Sequence, residues 1–177
     1  MKKIILAILM AMPLSLLAQT KFAHYNYAEI LPNMKEYATA QAELETMKKQ
    51  FEDDLKLMQD ELQKKYADYE KEAASLLDNI RARREQELME LQQRLQQSVQ
   101  DNELAFQKAT QEKLALINEK VMAAVKKIGE AGGYVYIVDT SIGAISFINP
   151  AMSTDVTSQL KKELGITASV AVPAENK

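Results

Sequence analysis

From Asn33 to Ile128 the chain runs 96 residues without a single Gly or Pro. A globular segment of that length carries roughly a dozen of the two, whose combined usage is about 12%. Positive-φ turns, tight loops and phosphate-cradling loops all draw on these residues. Their absence excludes a loop-rich α/β enzyme from this stretch and predicts long helices. All 5 Gly and 4 Pro of the 177 residues lie outside it, with Gly129, Gly132 and Gly133 just after it.

The hydrophobic spacing says what kind of helices these are. Apolar residues fall at Met34, Tyr37, Leu44, Met47, Phe51, Leu55, Met58, Leu62, Tyr66, Tyr69, Ala73, Leu76 and Ile80. The mean step is about 3.5 residues, the heptad period of a coiled-coil seam. Charges such as Lys48, Lys49, Glu52, Asp53, Lys64 and Lys65 fill the intervening positions as a solvated face. The second half continues less cleanly through Leu88, Leu91, Leu95, Val99, Asn102, Phe106, Leu114, Ile117, Val121, Val125 and Ile128. One unbroken helix over this stretch would be about 145 Å long. Ser75 followed by Asp78 has the form of a capping-box start, so the chain is expected to break within Ala73–Asn79. The result is a hairpin over 33–128, with arms of about 65–70 Å and a tip near 74–80. That turn has to form without glycine.

The ends read differently. Residues 1–18 have the form of a secretory signal peptide: Lys2 and Lys3, an apolar run from Ile4 to Leu17, then Ala18. Its removal leaves 20 basic against 25 acidic residues, net −5. With no Cys in the chain, thiol catalysis, cysteine metal sites and lipid attachment at a cysteine are excluded. Residues 19–32 hold a first strand, Phe22 to Tyr27. Residues 129–165 hold two more strands, Tyr134–Val138 and Ala144–Ile148, joined as a β-hairpin by a turn over Asp139–Gly143. Asp155 is placed to cap a short helix with Val156, Leu160 and Leu164 on one face, stopped by Gly165. Residues 166–177 read as a loose tail.

The function classes narrow accordingly. His24 is the sole histidine, so neither a typical zinc site nor a Ser-His-acid triad can be assembled, and a strand histidine satisfied by hydrogen bonds is expected. No catalytic residue, metal or cofactor is assigned, and the chain does not read as an enzyme. An acidic chain without a basic, aromatic-interleaved patch gives no case for nucleic acid. Arg81, Arg83 and Arg84 open the second arm, with Glu85 and Glu87 four residues after the first two. They read either as a paired, solvated face or as a contact for anionic lipid. Leu76, Leu77 and Ile80 at the tip are turn packing or exposed client contacts. Met89, on the returning arm, has the adaptable side chain of promiscuous surfaces. Three strands and one short helix are too small a body to hide their apolar faces alone. Phe22, Tyr25, Val135, Ile137, Ile145 and Phe147 are therefore expected to serve a closed homo-oligomer, from which the helical arms project.

The order of strand, helical hairpin, strand pair and short helix resembles the Skp/OmpH family of periplasmic chaperones. The stretches that carry it are Lys21-Phe22-Ala23-His24-Tyr25-Asn26-Tyr27, Ser75 to Leu91, Gly133-Tyr134-Val135-Tyr136-Ile137-Val138-Asp139, Ala144-Ile145-Ser146-Phe147, and Asp155-Val156-Thr157. The resemblance implies an α+β, mostly α chain, with a coiled-coil tentacle inserted in a small β body that trimerises as a β-barrel. It also implies ATP-independent holding of unfolded outer-membrane proteins in the periplasm. Members of the family can be strongly basic and favour anionic lipid; a mature charge of −5 argues against lipopolysaccharide here. The rival reading from another class is a structural coiled-coil spacer or adaptor of the envelope, with one folded partner and no affinity for unfolded chains.

Overall fold

A computed structural model describes residues 20–166. The signal peptide read over 1–18 and the tail from 167 lie outside the described residues. In chain order the elements are β1 (Lys21–Tyr25), α1 (Tyr27–Ile30), a 3-10 turn (Leu31–Asn33), α2 (Lys35–Glu72), α3 (Asp78–Gly132), β2 (Tyr134–Asp139), β3 (Ser153–Asp155) and α4 (Thr157–Glu163). The fold is mostly helical with a small strand element. The chain divides into two compact units: a hairpin, Pro32–Lys120, and a body made of the chain up to Leu31 and from Val121 onward.

In the body, β1 lies between β2 and β3 and is parallel to both. Parallel neighbours cannot be joined by a tight turn and need a crossover of a dozen or more residues. The helical hairpin connects β1 to β2, and Thr140–Met152 connects β2 to β3. The expected β-hairpin does not form, and 144–148 is not a strand. Both hydrogen-bonding edges of β1 are already occupied, one of them by Ser153–Asp155, so 144–148 finds no ladder partner at β1. The chain leaving β2 is also held at the sheet's end. The Thr140 amide and hydroxyl both donate to the Tyr25 carbonyl, at 2.9 and 3.1 Å. The Asp139 carboxylate accepts from the Tyr27 amide (3.2 Å), the Ser141 amide (2.9 Å) and the Ser141 hydroxyl (2.9 Å).

Alternation along β1 sends Ala23 and Tyr25 into a core with Ile30, Val121, Val125, Val156 and Leu160. Burial first, then the Asp139 carboxylate and Tyr27, push the Tyr25 phenol above its usual pKa. The opposite face carries Phe22, stacked on Tyr136 at 4.7 Å between ring centroids. It also carries His24, whose Nδ1 is 2.9 Å from the Ser153 hydroxyl. Val156, not Asp155, stands at the N-cap of α4 and makes no side-chain cap bond, whereas Asp155 one residue earlier accepts the Thr157 amide at 2.8 Å. Burial alone would raise the Asp155 carboxyl. The Thr157 hydroxyl and amide, with His24 and Lys161, outweigh it and hold the group below its usual value. The long helix passes through Gly129 rather than stopping there. It ends at Gly132, where a Cβ would sit 2.3 Å from the Tyr134 ring, and Gly133 at φ +65° turns the chain into β2.

In the hairpin, α2 and α3 run antiparallel. Glu36 pairs with Lys120 and Glu43 with Lys113. A seven-residue advance along α2 thus meets a seven-residue retreat along α3, which is one heptad of an antiparallel seam. Two helices share only one seam, so burial within the unit is thin. Met34, Ala40, Leu91 and Ile117 are buried, whereas Leu44, Met47, Phe51, Leu55, Met58 and Leu62 are half-buried. The turn differs from expectation in one respect. The Ser75 hydroxyl and amide donate back to the Glu72 carbonyl, at 2.8 and 2.9 Å. Ser75 therefore closes α2 instead of capping α3. Helix α3 opens on the Leu77 carbonyl, which accepts from the Ile80 and Arg81 amides at 2.9 Å each.

Candidate functional site

The end of the hairpin is built around Arg81. Its Nε donates to the Ala73 carbonyl at 3.2 Å, and its Nη2 donates to the Leu76 carbonyl at 3.3 Å. Helix C-termini leave carbonyls without partners, and a glycine turn usually recruits backbone amides to them. Here a guanidinium reaches back from the second helix and does so with its fork. Arg81 also lies 3.5 Å from Asp78. Arg83 and Arg84 pair with Glu87 at 3.3 and 3.5 Å, while Glu85 accepts the Tyr69 hydroxyl. That bond, ahead of burial and the Glu85 charge, raises the Tyr69 phenol. All three arginines have protein partners, but of the two pairs the spacing expected only Arg83–Glu87 forms; Arg81 takes Asp78 and Glu85 takes Tyr69.

The expected tip residues do not form one patch. Leu77 is 73% exposed and Met89 63%, whereas Ile80 is 38% exposed and Leu76 is half-buried. Successive residues turn by about 100° around a helix, and the groove residues of α2 separate onto two flanks of the seam. One flank is a groove of about 710 Å³ floored by Leu62, Tyr66, Leu88 and Met89, with Gln63, Gln92 and Glu85 at its rim. The other holds Leu76 among Lys65, Asp68, Glu72, Arg84 and Glu87. Met89 and Leu76 thus belong to different chemical surfaces. Tyr66 is one of the residues, with Val99 and Ile80, that the heptad count places in the seam and the structure leaves exposed. The heptad count assigns it to the seam, but it is 53% exposed and forms part of the apolar floor. Its only sequence trace is the close spacing of Leu62, Tyr66 and Tyr69 on one side of α2.

The residues expected at an oligomer contact also divide. Tyr25 is 6% exposed and serves this chain's own core, and Ile137 is half-buried with its Cδ1 3.6 Å from where a Cβ on Gly129 would lie. Phe22 is half-buried under its stack with Tyr136. Val135 (66%), Ile145 (38%) and Phe147 (78%) stand exposed. Tyr136, Ile142 and Met152, which the sequence did not single out, join them as exposed apolar residues of the body. Among the described residues no cluster of three or more His, Cys, Asp or Glu could hold a metal ion, and no helix is long and apolar enough to cross a membrane.

Comparison with known proteins follows the same lines as the geometry. The family model described as outer membrane protein (OmpH-like) matches residues 21–164. Among solved structures, an OmpH-like protein from Caulobacter crescentus CB15, described as an outer membrane chaperone, superposes with a TM-score of 0.70 at 15% identity. That match covers 83% of this chain and 85% of the other. No curated protein matches.

Proposed function

The chain belongs to the OmpH-like family of outer membrane proteins, a family of periplasmic chaperones rather than enzymes, and from that premise we propose that it is an ATP-independent holdase for unfolded outer-membrane proteins, working as a homotrimer. The observation that carries the proposal is the apolar surface left open on the hairpin. Leu57, Tyr66, Leu77, Met89, Leu104 and Leu116 are each more than half exposed along the hairpin and its turn, among charged side chains of which several form ion pairs within one helix. Each such contact is weak. Several copies of the hairpin held together raise their effective concentration for one client chain, so weak contacts add without any one becoming irreversible.

Release then needs no nucleotide. The glycines of the chain are confined to Gly129, Gly132, Gly133, Gly143 and Gly165, and no Gly-rich phosphate loop can be built from them. A client leaves when its own folding or transfer buries the apolar residues the hairpin had covered. The proposal is tested by diluting a urea-unfolded β-barrel protein into buffer with stoichiometric mature protein and following light scattering. Suppressed aggregation is expected; unchanged aggregation would remove the holdase reading. Replacing Leu76, Leu77 and Ile80 together with Ser is expected to weaken client binding while the oligomer mass stays fixed. Unaltered binding would take the tip out of the site.

A further inference from the structure

The flank that carries Met89 has a shape and a charge that select among unfolded chains. Leu62 and Tyr66 are one helical turn apart on α2, a rise of about 6 Å. In an extended chain, side chains on one face recur at about 6.7 Å, every second residue. The two repeats match closely enough for neighbouring same-face side chains of an extended segment to seat on Leu62 and Tyr66 in succession. Leu88 and Met89 wall the groove from the antiparallel arm. Its volume of about 710 Å³ lies in the range of small-ligand pockets, about 300–1,000 Å³. The intervening side chains of such a segment point outward, toward solvent and the neutral amides of Gln63 and Gln92. The ionic group at the rim is the exposed Glu85 carboxylate, so charge complementarity favours a cation beside the apolar residues. The other flank shares Tyr69 and Leu88 with this groove but lacks Leu62, Tyr66 and Met89, and its Lys65 and Arg84 stand among Asp68, Glu72 and Glu87 with no single sign of charge.

We propose that this groove is a docking site for extended chain segments with apolar residues at alternate positions and a Lys or Arg next to them. Transmembrane β-strands have this alternation written into their sequence before they fold. The inference rests on the holdase reading and adds to it a place and a pattern.

The test uses the mature full-length protein and three fluorescent ten-residue peptides. One alternates Tyr and Val with Ser and Thr and ends in Lys; one has the same composition with the apolar residues in a block; one alternates but ends in Glu. Fluorescence anisotropy is expected to show the alternating Lys peptide binding about tenfold more tightly than the block peptide, a difference of about 1.4 kcal/mol. Met89→Ser is expected to abolish that advantage, while Val99→Ser, at an exposed site on α3 outside the groove, leaves it in place. Glu85→Gln is expected to remove the preference for the Lys end over the Glu end. Met89 is exposed, so the fold survives its replacement, and circular dichroism checks this. Equal binding of alternating and block peptides, or an advantage that survives Met89→Ser, overturns the proposal. So does a change in oligomer mass on Met89→Ser, which would show a second copy covering the groove. Aggregation of the unfolded client is followed in parallel. Suppression without pattern preference sinks the groove alone, whereas no suppression sinks the holdase reading as well.

Discussion

Arg81 does at the hairpin tip what a left-handed glycine does at most helix ends. Its two donors occupy the Ala73 and Leu76 carbonyls, and each such bond contributes about 1 kcal/mol net. Partial exposure of the side chain trims that figure. Arg81→Ala is expected to speed amide exchange across 73–80 without loosening Leu91 or Ile117. Arg81→Lys should rescue only part of the protection, because an ammonium cannot present the planar fork. Exchange unchanged in the Ala variant would mean that Ser75 and the backbone close the turn unaided. This role was not legible in the sequence. A donor reaching carbonyls five and eight residues back has no spacing rule of its own, and the same Arg satisfies the simpler pattern of an i,i+4 partner for Glu85. The structure gives Glu85 to Tyr69 instead. Asp155 is legible in part: the N-cap itself is Val156, but residue type and position give Asp155 a bond to the start of α4, the Thr157 amide. Its folded carboxyl sits below its unfolded value, so the stabilisation is present above the unfolded value and is lost as pH falls through the folded one. Thermal melts in the acid range should therefore fall less steeply for Asp155→Asn than for the parent. Parallel curves would show that the Asp155 carboxylate carries no charge-linked stability.

Helices α2 and α3 are predicted well by heptads, because a period summed over many turns survives a few exceptions. What the period cannot show is which seam positions a two-helix ribbon closes. Leu91 is 4% exposed, whereas Val99, two seam positions further on, is 48% exposed. Leu91→Ala should cost about 2–4 kcal/mol through lost contacts and a cavity, while Val99→Ala should cost well under 1 kcal/mol. Urea denaturation of the two variants checks this, and equal losses would mean that the seam is closed along its whole length in solution. The two ion pairs Glu36–Lys120 and Glu43–Lys113 register the arms more than they stabilise them, since exposed pairs contribute about 0–1 kcal/mol each. The segment 144–148 failed for the opposite reason to the helices. Ala144-Ile145-Ser146-Phe147-Ile148 alternates like a strand, but the chain leaving β2 is bonded through Asp139 and Thr140 to Tyr27 and Tyr25 at the end of β1, so it does not fold straight back along β2. Those bonds join residues more than a hundred positions apart, which no local window contains.

The body leaves Val135, Tyr136, Ile142, Phe147 and Met152 each more than half exposed around a sheet of three strands. Single exposed apolar residues are ordinary, but this many large ones on so small a unit are not. In the proposed homotrimer other copies of the chain would cover them and could also give 144–148 a partner, because the outer edges of β2 and β3 are open to a strand from elsewhere. A closed ring is the arrangement that leaves no such edge over, and three copies follow the resemblance seen in the sequence. Light scattering coupled to size exclusion is expected to give the mass of three mature chains. Val135→Ser combined with Phe147→Ser changes two residues that lie outside the chain's own core, so the helical content of each copy should persist while the mass falls toward one chain. Leu160→Ala is the contrasting variant. Leu160 is fully buried within the body, and its loss should cost about 2–5 kcal/mol of body stability before it affects association. If the double Ser variant stays trimeric, these residues are not the contact between copies. If the parent is a compact monomer at all concentrations, the exposed set must be explained by client contact alone, and avidity among hairpins cannot be how the protein holds an unfolded chain.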